Sequence, residues 1–135
     1  MQGYGLKFDH LGLATRNPDR AIAFLRGLGY RTGAAVYDPL QRVNLVLCES
    51  DDMPSVEVIS PAGRSGPLET ILSERSEIVY HLCFRSGDAA SSLDAMRRAG
   101  HRVMPIGAPQ PAVLFGNRKV SFHMIKGFGL IEMLE

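Results

Sequence analysis

The chain has 135 residues, of which 45% are hydrophobic and 21% are charged, as in a single globular domain. Lysine and arginine outnumber acidic residues by 15 to 14, so the charge balance gives no reason to expect nucleic acid or a membrane as a partner. The opening MQGYGLKFDH lacks the basic and apolar regions of a secretory signal, and Cys48 and Cys83 lie in apolar runs, as buried free thiols do. A cytoplasmic location is therefore expected.

The first half of the chain predicts one strand, one helix and then further strands. FDHLGLAT (8–15) is an apolar strand that contains a histidine, and Asn17-Pro18 is a typical helix start. Apolar residues at helical spacing follow, and Gly29 is typical of a helix end. A strand is predicted in YRTGAAVY (30–37), and the alternating segments RVNLVLC (42–48) and VEVIS (56–60) predict two more.

The second half repeats this pattern at an offset of about 71 residues. His81 corresponds to His10, Asp88 to Asn17, and Gly100 to Gly29. Later the offset drifts, as changes in loop length would cause. The remaining predicted strands are HRVMPIG (101–107), KVSFHMI (119–125) and IEMLE (131–135).

The repeat predicts an α+β fold made of two tandem β-α-β-β-β modules that enclose one cavity. The first module is expected to cover about residues 5–61 and the second about residues 78–135. The connector (62–77) begins with proline and glycine and predicts a short helix around residues 68–74. All 135 residues are expected to form one domain.

Two histidines and two glutamates occupy equivalent positions in the two modules. Residues of a strand alternate between its faces, so His10 and Glu57 lie opposite their apolar neighbours, as do His81 and Glu132. Helices are expected to cover the apolar faces, which leaves the four polar side chains facing a shared cavity. Nitrogen and carboxylate donors together predict one divalent ion, with Zn, Co, Ni, Mn and Fe as the candidates.

A single residue of this kind would not justify a metal prediction. A lone histidine within a strand is most often structural, and a lone glutamate is usually solvated on an outer face. The equivalence of the two pairs favours metal binding. His101 and His123 have no histidine at the repeat-equivalent position, so structural or surface roles are expected for both.

FDHLGLAT, VEVISP, VYHLCFR and GLIEMLE together resemble the vicinal oxygen chelate superfamily, which includes glyoxalase I, epimerases, extradiol dioxygenases and bleomycin-type resistance proteins. The similarity extends over nearly the whole chain and is greatest to the short members related to methylmalonyl-CoA epimerase. The resemblance implies metal ligands at His10, Glu57, His81 and Glu132. Dimerisation is common among such proteins, so a homodimer is also a possibility that the resemblance raises.

The resemblance implies a metal-dependent isomerase, epimerase or lyase that polarises a carbonyl of a small 2-oxo compound or acyl thioester for proton abstraction. Leu45 stands where similar epimerases carry a catalytic glutamate. The proton acceptor is therefore expected to be a ligand carboxylate, Glu132 or Glu57, with Glu49 as a weaker candidate on the same strand as Leu45.

Two other functions stay open. One is a non-catalytic protein of the bleomycin-resistance type, which would bind a small molecule between the modules. The other is an iron-dependent extradiol dioxygenase, which would need only two histidines and one carboxylate. Substrate contacts are predicted at Gln41, Arg42 and the segment APQPAVLFGNR (108–118), although a hairpin with solvated charges is the simpler interpretation of that segment.

Overall fold

A computed structural model describes residues 2–63 and 66–135 and divides the chain into two compact units. The N-terminal unit comprises residues 10–80, and the C-terminal unit comprises residues 1–9 together with 81–135. The elements, in chain order, are a 3-10 turn (Gln2–Gly5), β1 (Leu6–Thr15), α1 (Pro18–Gly27), β2 (Arg31–Thr32), β3 (Val36–Asp38), β4 (Val43–Glu49), β5 (Ser55–Pro61), α2 (Pro67–Ile71), β6 (Glu77–Ser86), α3 (Ala89–Arg98), β7 (Val103–Ala112), a second 3-10 turn (Val113–Phe115), β8 (Arg118–Ile125) and β9 (Gly129–Leu134).

In the N-terminal unit the strand order is β2-β4-β5-β1, and β3 also pairs with β4. Strands β4 and β5 are antiparallel, whereas β1 and β5 are parallel. One face of these strands packs against α1. The side chains that form this core are Leu25, Tyr30, Val46, Cys48, Val56 and Val58, with Leu11, Leu13, Ala21 and Ile22 partly buried beside them.

In the C-terminal unit the strand order is β6-β9-β8-β7. β6 and β9 are parallel, and β7, β8 and β9 are antiparallel neighbours. Helix α3 covers one face of these strands. This core contains Ala89, Met96, Ile131 and Met133, with Phe84 and Leu93 among the partly buried residues packed against it. Both units thus place a helix on one face of a small sheet.

The two long helices begin and end as the sequence predicts. The side chain of Asn17 accepts a hydrogen bond from the backbone N–H of Arg20 at 3.3 Å, and Asp88 accepts one from Ser91 N–H at 3.1 Å. Beyond the helix ends, Gly29 and Gly100 have φ values of +102° and +96°. Glycine adopts this conformation without steric cost.

The predicted α+β class and the two β-α-β-β-β modules are confirmed, with two short strands, β2 and β3, after the first helix. The prediction was less accurate for β7, which continues to Ala112 with an irregularity between Ile106 and Gln110. The connector helix spans Pro67–Ile71 instead of reaching residue 74. Within the described part of the chain, no helix is both long and apolar enough to cross a bilayer.

Candidate functional site

His10 and Glu57 form a buried pair in the N-terminal unit. His10 is 0% exposed and Glu57 is 5% exposed, and His10 Nε2 lies 3.8 Å from Glu57 Oε1. Leu11 and Leu13 pack toward α1, as do Val56 and Val58, which flank the glutamate. The alternation of side chains along β1 and β5 therefore puts the pair on the face turned away from α1.

His81 and Glu132 form the corresponding pair in the C-terminal unit. Their exposed fractions are 3% and 4%, and His81 Nε2 lies 3.2 Å from Glu132 Oε1. The residues on either side of Glu132, Ile131 and Met133, belong to the core beneath α3. This pair therefore lies on the face turned away from α3, as the repeat predicts.

An apolar side chain on a neighbouring strand accompanies each pair. Leu47 of β4 is the register partner of Glu57 in β5. In the other unit, Phe122 of β8 is the register partner of Glu132, and its ring meets the His81 ring edge to face at a centroid distance of 5.4 Å. An apolar surrounding strengthens electrostatic interactions with the buried carboxylates. Sequence reasoning did not identify Leu47 or Phe122, because their positions depend on strand register.

Leu45, which replaces the glutamate of similar epimerases, and Glu49, the weaker candidate for the proton acceptor, both lie on β4. Leu45 is buried at 6% exposure, two residues along β4 from Leu47, and so shares its face. Glu49 ends the same strand, is exposed and pairs in register with Arg31 of β2. The structure thus keeps an apolar side chain at position 45 and puts the Glu49 carboxylate in solvent.

The predicted substrate-contacting residues lie in turns. Gln41 belongs to the β3–β4 turn, where its backbone N–H and its side-chain Nε2 donate to the buried carboxylate of Asp38 at 3.2 and 3.3 Å. Arg42 is exposed in the same turn with a φ of +56°. Residues 108–118 form the end of β7, a 3-10 turn and the start of β8, and the Arg118 side chain donates to the Glu135 carbonyl at 2.7 Å. The segment is thus a hairpin, and its contact with substrate stays a prediction.

The two remaining histidines make local contacts, in keeping with their expected structural roles. His101 Nε2 lies 2.9 Å from the Tyr4 hydroxyl. His123 is 5% exposed and its Nε2 lies 2.9 Å from the Ser121 hydroxyl. Burial, and to a smaller extent the nearby charge of Arg97, lower the pKa of His123 below the ordinary histidine value.

The donor chemistry of each pair fits a metal ion. Two glutamates that are at least 95% buried would carry two negative charges into an apolar setting, which is costly without a compensating cation. Neutral imidazoles can donate ring nitrogens without adding charge. A set with equal numbers of imidazole and carboxylate donors suits divalent transition metals better than calcium.

Comparison with known proteins identifies the family of the chain. Residues 9–122 match the model of the Glyoxalase/Bleomycin resistance protein/Dioxygenase superfamily. A curated relative, the ethylmalonyl-CoA/methylmalonyl-CoA epimerase of Cereibacter sphaeroides, is 24% identical over 106 residues, which cover 77% of this chain and 78% of the relative. The resemblance indicated by the sequence motifs is confirmed.

Solved structures of similar proteins share the fold. Methylmalonyl-CoA epimerase from Mycobacterium tuberculosis has a TM-score of 0.76 at 23% identity, and the match covers 97% of this chain and 87% of that one. A substituted Streptomyces coelicolor methylmalonyl-CoA epimerase in complex with 2-nitronate-propionyl-CoA has a TM-score of 0.72 at 19% identity, with 95% of each chain covered. At these identities the comparison shows a common architecture.

Proposed function

Because the chain belongs to the glyoxalase/bleomycin resistance/dioxygenase superfamily, we propose that it is a divalent-metal-dependent isomerase of the epimerase type. The proposed substrate is an acyl thioester or a small 2-oxo compound with an acidic C–H next to a carbonyl. Support for a thioester comes from the name of the curated relative and from the coenzyme A ligand of the Streptomyces protein. The observation that carries the proposal is the pair of buried His–Glu contacts at repeat-equivalent positions.

His10, Glu57, His81 and Glu132 are the proposed ligands of one ion, which would be Zn, Co, Ni, Mn or Fe. When bound, such an ion acts as a Lewis acid toward a substrate carbonyl oxygen. An ion held by these four residues would keep coordination positions open for a substrate oxygen. Leu47 is the register partner of Glu57 and the Phe122 ring contacts His81, and these apolar side chains would limit the access of water to the ion.

Proton transfer is assigned to Glu132, with Glu57 as the alternative. Leu45 has no titratable group, and the exposed Glu49 lacks the buried setting of the two ligand carboxylates. Glu132 Oε1 is therefore the proposed acceptor of the substrate proton, and inversion at the carbon is completed when a separate proton donor protonates its opposite face. A positioned general base of this kind contributes a factor of about 10² to 10⁴ to the rate.

The test is proton exchange in D₂O, followed by NMR, on metal-loaded protein with a panel of acyl thioesters and 2-oxo acids. We expect deuterium to replace the acidic C–H of at least one compound. The Glu132→Gln variant should lose at least about 100-fold in exchange rate, because an amide cannot accept the proton. Glu49→Gln is the matched control, since it removes an exposed carboxylate, and it should retain the wild-type rate.

Three results would contradict the proposal or part of it. Full exchange and full metal content in Glu132→Gln would exclude this glutamate as the base. Absence of exchange with every compound, despite bound metal, would favour a binding protein of the resistance type. Oxygen consumption with a catechol by the iron-loaded protein would instead favour ring-cleaving chemistry.

A further inference from the structure

A cavity of about 550 Å³ lies in the C-terminal unit between the N-terminal segment, α3 and the β8–β9 turn. Most of its lining is apolar or aromatic, including Leu6, Phe8, Phe84, Met96, Ile125 and Phe128. A volume of this size and a lining of this kind are typical of pockets that bind small molecules. We propose that this cavity binds an amphipathic monoanion, a carboxylate carried on an unbranched hydrocarbon chain.

The cavity is separate from the His81–Glu132 pair. Phe84 and Ile131 line it, and both point to the α3 side of their strands. His81 and Glu132 lie on the opposite side of the same strands, because side chains alternate between faces. A ligand in this cavity would therefore lie behind the sheet that carries the proposed metal ligands of this unit.

The polar groups of the cavity favour an anion. Lys126 and His101 are among the lining residues, and no aspartate or glutamate occurs among the described residues that line it. The Lys126 backbone N–H donates to the Arg102 carbonyl at 3.0 Å, which fixes the backbone while the exposed side chain stays able to reach a ligand. The Tyr4 hydroxyl and His101 Nε2, 2.9 Å apart, supply further hydrogen-bonding groups at the same site.

Solvent-exposed aromatic rings add to the case for a hydrocarbon chain. Phe128 is 62% exposed and Phe8 is 40% exposed, and both line the cavity. The Phe8 ring also meets the Phe84 ring edge to face at a centroid distance of 5.9 Å. Covering these rings with a hydrocarbon chain would remove apolar surface from water, which favours binding in proportion to the chain length.

The segment beside the cavity has an unusual backbone. Gly3, Tyr4 and Gly5 all have positive φ values, of 63°, 54° and 69°. Such a conformation is unfavourable for tyrosine and persists only where the surroundings hold it. The contact between Tyr4 and His101 holds the tyrosine at the cavity.

Calorimetric titration of the full chain with octanoate and decanoate tests the proposal. We expect saturable binding that tightens about fourfold for each added methylene. Lys126→Gln should weaken decanoate binding by about two- to fivefold and leave decanol binding unchanged, because only the carboxylate pairs with the lysine. Lys119→Gln, at the other end of β8, is the matched control and should not change decanoate binding.

NMR then locates the ligand. Intermolecular NOEs from the decanoate chain should reach the methyl groups of Met96 and Ile125, but not those of Leu134, which packs with Cys83 on the other side of the sheet. Lack of saturable binding, affinity independent of chain length, or NOEs to Leu134 would each overturn the proposal. Equal decanoate affinity of Lys126→Gln and the wild type would overturn the assignment of the carboxylate partner.

Discussion

Glu57 and Glu132 are carboxylates buried between apolar residues, and each contacts a histidine. One interpretation is a pair of imidazolium–carboxylate contacts, in which each histidine carries a proton. The other is a shared cation, with both histidines neutral. Two separate ion pairs would each need a buried charge on the imidazole as well, and such pairs rarely recover the cost of desolvation. The metal interpretation requires fewer buried charges from the protein itself.

His123 provides a prediction about pH. Burial lowers its pKa in the folded chain, so the unfolded chain, with a histidine pKa near 6.5, binds the proton more readily. The contribution of neutral His123 to the free energy of unfolding is therefore fully present above about pH 6.5. It is lost as the pH falls toward the lower pKa of His123 in the folded chain. The free energy of unfolding in urea, measured with chelator at pH 7.5 and 5.5, should fall less in His123→Gln than in the wild type.

An equal loss in His123→Gln and the wild type would show that protonation of His123 does not contribute.

At the residue scale, the sequence predicted the buried polar residues whose positions follow from the alternation of side chains along a strand and from the repeat of the module. His10, Glu57, His81 and Glu132 were identified because a two-residue period assigns each strand residue to a face. The contact of Phe122 with His81 and that of Tyr4 with His101 were not predicted. The first depends on the register between strands, and the second joins residues 97 positions apart in sequence.

At the scale of elements, the side chain of Asn17 caps the start of α1. Asn17 accepts a hydrogen bond from Arg20 N–H and satisfies one of the amide groups that have no partner within the helix. Asn17→Ala should lower the free energy of unfolding by about 1 kcal/mol, measured by urea denaturation. Asn17→Asp keeps the acceptor and is expected to stay within about 0.5 kcal/mol of the wild type. Equal stability of Asn17→Ala and the wild type would show that this cap is dispensable.

Strand β7 shows why some elements could not be predicted. Pro109 and Pro111 gave its second half the composition of a loop, yet the strand continues to Ala112. β7 lies at the end of the strand order, where proline is tolerated because one side of the strand makes no ladder hydrogen bonds. The irregularity between Ile106 and Gln110 includes Gly107, whose φ is +74°. The edge position and the bulge of β7 both depend on how the strands pair in the folded chain, so they cannot be predicted from local composition.

At the scale of the whole molecule, each unit carries one buried histidine and one buried glutamate on equivalent strands. β1 and β5 are parallel and carry one pair, and β6 and β9 are parallel and carry the other. Two ligands alone make a weak site for a divalent ion, since structural and catalytic sites generally have three or four protein ligands. The duplication is therefore most easily understood if both pairs serve the same ion.

Metal stoichiometry tests this interpretation. Metal-free protein titrated with Zn²⁺ in a calorimeter should bind one ion per chain tightly, and the ion should raise the unfolding temperature, because it binds the folded state in preference. His10→Ala and His81→Ala should each weaken the binding of that one ion, because three of its four proposed ligands remain, whereas His101→Ala should bind as the wild type does. If each pair instead held an ion of its own, the wild type would bind two and each of the first two variants would keep one. That result would exclude an ion shared by both pairs. It would also exclude the proposed polarisation of a substrate carbonyl by such an ion.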